Sequence, residues 1–118
     1  MIREIKTEYR FSNVMIATYL AYVKTAFDSD QKPVVFADVG SRSELKALFQ
    51  ENLSKEQFER IEFRTYPHDP RVAENMTKGL SNAMFIVVDE KGRFTDQISR
   101  SISWSMAAAK TDALIVHH

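Results

Sequence analysis

Two short apolar runs, Val34-Val35-Phe36 and Met84 to Val88, constrain the fold more than any other feature of the chain. Neither alternates with polar residues, so neither reads as a strand with one wet face. Continuous runs of this kind, rich in β-branched side chains, are the pattern of strands buried on both faces. Such strands need cover on each side, and the segments between them have helical periodicity.

The first helix is the clearest. Phe11, Val14, Met15, Thr18, Tyr19, Tyr22 and Val23 recur at three- and four-residue steps, forming one apolar stripe that ends near Ser29. After the first apolar run, Ser41 and Glu44 have the spacing of a capping box, which predicts a helix starting at Ser41 with Leu45, Leu48 and Phe49 inward. Ser54 and Gln57 repeat the spacing, so that helix should bend or restart there. Ile61 to Tyr66 alternates apolar and charged residues as a half-exposed strand. Asp69-Pro70 is a helix start, with Asp as N-cap and Pro at the first helical position. After Met84 to Val88, the residues Asp89-Glu90-Lys91-Gly92 are turn chemistry, and Phe94 to Ile98 is expected to return as an antiparallel hairpin partner. The Ala-rich end reads as helix, with Leu114-Ile115-Val116 as an alternative final strand. The expectation is a single α/β domain over residues 1–118, with a mixed central sheet of about four strands and helices on both faces.

Several of these features resemble the thioredoxin-like superfamily. Lys32-Pro33-Val34-Val35-Phe36 is similar to the lead into its central strand, and Asp69-Pro70 to the opening of its third helix. Asn82 and Ala83 stand where that family has its cis-proline loop, and Asp89 to Arg93 resembles the turn of its final hairpin. The paired cysteines of the family are replaced by Gly40-Ser41-Arg42-Ser43. The resemblance therefore implies a three-layer α/β/α domain that binds and does no redox chemistry, since thiol exchange requires a thiolate. It places an extended partner segment, held by main-chain hydrogen bonds, against Ser41, Arg42, Ser43, Asn82 and Ala83. The function expected on this basis is that of an adaptor, chaperone-like module or regulatory subunit.

A rival reading is a Rossmann-like parallel sheet on which Asp38, Ser41, Arg42 and His68 line a crevice for a small anionic substrate. The two differ in one strand: an antiparallel Phe94 to Ile98 supports the first, a parallel strand at Leu114 to Val116 the second. Within the rival, the first-turn amides of the second helix and Arg42 suit a phosphate or carboxylate, although a simple cap with an exposed Arg explains the same residues. Asp38, Asp69 and Asp89 each follow a predicted strand and could together hold a divalent ion; capping by Asp69 and turn preference at Asp89 explain two of them without metal. No metal or other cofactor is expected. His68 is a loop histidine beside a carboxylate. His117 and His118 read either as metal ligands or as the remnant of a purification tag. Trp104 and the Tyr19/Tyr22 pair read as packing residues, with part of the aromatic first helix available to a protein partner or a second copy in a homodimer.

Composition narrows the rest. Sixteen basic and sixteen acidic side chains cancel, which removes the charge surplus that nucleic-acid binding by counterion release needs. The absence of Cys excludes disulfides, thiolate metal sites and cysteine catalysis. Phe11 to Val23 follows Arg3, Lys6 and Arg10 as a signal segment would, but it is broken by Ser, Asn, Thr and Tyr and falls short of the roughly 20 apolar residues that span a membrane. A cytoplasmic protein without membrane contact is expected.

Overall fold

In the computed structural model, residues 2–8, 11–65, 81–90 and 110–118 are described. They form β1 (Ile2–Lys6), α1 (Asn13–Asp28), β2 (Lys32–Ala37), α2 (Val39–Asn52), α3 (Lys55–Glu59), β3 (Glu62–Thr65), β4 (Ala83–Asp89) and β5 (Asp112–His117). The five strands make one sheet in the order β1-β5-β4-β2-β3. Every pairing in it is parallel.

The two apolar runs are the central strands, and their lack of alternation has the expected cause. Val34, Phe36, Phe85, Val87, Ala113 and Ile115 lie in one buried cluster, on one face of the sheet. Val35, Ala37, Ile86, Val88, Leu114 and Val116 lie in a second, on the other face, with Met15, Tyr19 and Val23 of α1 and Leu45 and Phe49 of α2. Both helices share that face because β1 to β2 and β2 to β3 cross the sheet in the same direction, and right-handed crossovers in one direction put their helices on one side. Pro33 is tolerated inside β2 because β3 pairs only from Val34 onward, so no ladder bond is needed there on that side.

Local signals hold where the competition is local. Ser12 caps α1 by accepting from the Met15 amide at 3.3 Å. Ser54 and Gln57 form the reciprocal capping box that restarts the chain as α3. The Ser41 capping box does not form. α2 begins two residues earlier with Asp38 as N-cap, and Ser41 lies inside the first turn, buried.

The sheet also differs from the expected mixed one. β4 is paired on one side with β2 and on the other with β5, both parallel, so neither edge is open to an antiparallel hairpin return. Phe94 to Ile98 themselves, the Asp69-Pro70 helix start, His68, Trp104 and most of the Ala-rich segment lie outside the described residues. Leu114 to Val116 belongs to a strand, the alternative left open above. β1 has no counterpart in the sequence reading.

Candidate functional site

In a parallel sheet all carboxyl ends point the same way, and here that end collects the polar chemistry. From β2 the chain adds β3 on one side, whereas β4 lies on the other, so the order reverses between β2 and β4. A reversal of this kind leaves a crevice beyond the carboxyl ends of the two flanking strands, because the connections leave them to opposite sides. Asp38 and the first turn of α2 follow β2, and Asp89 ends β4 with Glu90 just beyond it.

On the helical face, the buried Ser41 hydroxyl donates to a Glu90 carboxylate oxygen. That bond joins α2 to the end of β4 and explains why Ser41 is not a cap: its oxygen has a charged partner farther along the chain. Tyr19 of α1 is fully buried, and its hydroxyl lies 3.4 Å from His118 Nε2. Burial first, and the nearby Glu90 carboxylate second, hold the Tyr19 phenol well above its usual range. The His118 ring meets Phe11 edge-on at 5.9 Å, and Phe11 has the left-handed backbone (φ 49°) that large side chains seldom adopt.

Arg42 is half-buried one position beyond Ser41 and donates to Thr65 Oγ1 at the end of β3, at 2.7 Å. Among the described residues it meets no carboxylate. Gly40, just before, is exposed, and a Cβ there would touch nothing within 4 Å, so the first turn of α2 opens onto free space. Val39 is 59% exposed at the start of α2 and Val14 is 74% exposed at the start of α1. Both helix starts therefore set an apolar side chain at the carboxyl end of the sheet.

The opposite face of the same edge carries a different group. Asp89 and His117 are register partners on β4 and β5, and period-2 alternation sends their side chains to one face, with Glu90 and His118 turned to the other. The Asp89 side chain is 1% exposed and lies 3.1 Å from His117 Nδ1. His117 Nε2 is 3.9 Å from a Glu4 carboxylate oxygen on β1.

The structure does not gather the residues expected to form the partner groove. Asn82 directly precedes β4, and Ala83, its first residue, pairs with Lys32 at the amino end of β2. Ser41, Arg42 and Ser43 follow the carboxyl end of β2, the full length of the strand away, at about 3.3 Å per residue. Asn82 has a turn role, with positive φ and its amide donating to the Asp30 carbonyl at 2.9 Å. Ser43 is exposed and bonds back to the Val39 carbonyl at 3.2 Å. Asp38 and Asp89 do both reach the carboxyl edge, while Asp69 and His68 are outside the described residues. Among the described residues no group of three His, Asp or Glu side chains is arranged to hold a metal ion, and no helix is long and apolar enough to cross a membrane.

Comparison with protein-family models, curated proteins and solved structures finds no match. Sequence reasoning passed over Asp89 with His117, although a signal was present: two apolar runs each end in a titratable pair, Asp89-Glu90 and His117-His118. Among the described residues, two surface hollows lie away from this edge. One, of about 360 Å³, is lined by Leu20, Lys24, Phe27, Asn52, Leu53 and Gln57. The other, of about 390 Å³, is lined by Asp30, Gln31, Lys32 and Arg60 at the amino end of the sheet.

Proposed function

We propose that the protein binds a small anionic ligand, a carboxylate or phosphate, at the carboxyl ends of β2 and β3. The observation that carries this reading is Arg42: a guanidinium at the first turn of α2, steadied by Thr65 and lacking a carboxylate partner among the described residues. The α2 amino terminus adds partial positive charge and amide donors to the same place. Open space over Gly40 lets a ligand approach the backbone closely. The α2 amino terminus also borders the crevice that the reversal of strand order leaves between β2 and β4, on the side of β2 away from β3. Arg42 and the first-turn amides of α2 would hold the anion, and Thr65 would keep the guanidinium in place.

The competing reading is the non-redox thioredoxin-like adaptor, with a protein partner or second copy of the chain on the same end. The exposed Val14 and Val39 support it. Thermal unfolding with inorganic phosphate, a nucleotide panel and di- and tricarboxylates separates the two. A ligand bound only to the native state raises the melting temperature, by about 2.7 kcal/mol of stabilisation at one hundred times its dissociation constant. The anion reading expects such a shift with at least one of these compounds and its loss in Arg42→Glu. No shift with any of them, together with a dimer or a captured peptide whose binding depends on Val14 and Val39, would replace anion binding by the adaptor.

A further inference from the structure

Asp89 and His117 are not needed for anion binding at Arg42, and they lie on the other face of the sheet. Asp89 is a carboxylate with 1% of its side chain exposed. An ionised carboxylate is costly to bury unless it is paired, and its imidazole partner sits at 3.1 Å on the neighbouring strand, at a position fixed by the parallel register. The contact uses Nδ1, which leaves Nε2 on the side of the ring away from Asp89. His117 keeps 27% of its side chain exposed, and Nε2 lies on the side of Glu4, whose own side chain is 44% exposed. A buried acid behind a partly exposed imidazole, at the carboxyl ends of parallel strands, is the arrangement in which a histidine is oriented for proton transfer.

We propose that His117 is a general acid–base and that Asp89 is its positioning residue. Asp89 accepts from the protonated Nδ1, which fixes the tautomer and leaves the electron pair on Nε2. That nitrogen takes the proton from a ligand hydroxyl, the bonding electrons stay on the ligand oxygen, and Asp89 offsets the charge of the imidazolium formed. The reverse transfer returns the proton from Nε2. With Asp89 and Glu4 both on this face, the group acted on is the hydroxyl of a neutral or cationic ligand, because an anion would be repelled. This centre does not depend on anion binding at Arg42, which uses the opposite face.

The first test needs no variant. In the full-length, 15N-labelled protein, long-range nitrogen–proton correlations at a pH where the imidazole is neutral report which nitrogen carries the proton. His117 is expected to be protonated at Nδ1; protonation at Nε2 overturns the proposal. The second test reads reactivity with diethyl pyrocarbonate, in which the Nε2 electron pair attacks the reagent's carbonyl carbon, a C–N bond forms and ethyl carbonate departs to give ethanol and carbon dioxide. Mass spectrometry follows His117, with His68 and His118 as internal references. In Asp89→Asn the amide donates to Nδ1 and moves the proton to Nε2, so labelling of His117 should fall at least about tenfold while the references are unchanged. Equal labelling of His117 in a folded Asp89→Asn protein would remove Asp89 from the role.

Discussion

Tyr19→Phe isolates one buried hydroxyl, and its effect should reverse in importance with pH. At neutral pH the substitution removes only the contact with His118 Nε2 at 3.4 Å. A single hydrogen bond contributes about 1 kcal/mol net, and one this long contributes less. The ring keeps its edge-on contact with Phe49, 6.3 Å between centroids and 90° between planes. Alkaline pH is different. The Tyr19 phenol is raised in the folded protein from its ordinary value of 10.0 by burial and, secondarily, by Glu90. The unfolded chain releases this proton above pH 10 while the folded protein retains it. The unfolded state therefore binds fewer protons, and stability falls as pH rises. For one group titrating only in the unfolded chain, the loss at pH 11 is about 1.4 kcal/mol relative to neutral pH. Tyr19→Phe cannot show this loss. Urea unfolding followed by far-ultraviolet circular dichroism at pH 7, 9, 10 and 11 gives the two profiles, and subtraction cancels the other tyrosines and the lysines. Wild type should lose its advantage over Tyr19→Phe near pH 10 and become the less stable of the two by pH 11. Profiles that stay parallel across this range would show that the phenol ionises in the folded protein, and the buried placement of Tyr19 would be wrong.

Phe49→Ala should cost about 3–5 kcal/mol, because the ring is fully buried and meets both Tyr19 and Phe63; a loss below 1.5 kcal/mol in urea titration would contradict its place between α1, α2 and β3. Gly40→Ala should raise stability by about 0.5–1 kcal/mol, since the position is helical, exposed and open to a Cβ, and it should leave the contact of Arg42 with Thr65 untouched. A lowered melting temperature for that variant would mean the first turn of α2 is not helical.

What the sequence by itself determined is the part settled within a few residues. The stripe through Met15, Tyr19 and Val23 makes α1, because helical periodicity and the Ser12 cap agree, although Phe11 precedes the helix and Val14 is exposed. The runs at Val34 and Met84 make central strands, because continuous apolar residues have no wet face to offer. The Ser54 and Gln57 box forms because both partners are exposed and no distant group competes. Ser41 and Glu44 have the same spacing and fail, because the Ser41 hydroxyl is taken by Glu90, a residue 49 positions away. β1 escaped notice because Arg3, Glu4 and Lys6 make it a polar edge strand, whose reason to exist is the open edge of β5.

Only the tertiary structure decided the strand order, and with it the site. Whether β4 meets an antiparallel return or two parallel neighbours depends on backbone pairing between distant segments, which side-chain pattern does not encode. That choice sent Asn82 and Ala83 to one end of the sheet and Arg42 to the other, and it brought His117 beside Asp89. Periodicity records which residues are buried; it is the register between strands that determines which polar groups meet at the carboxyl edge.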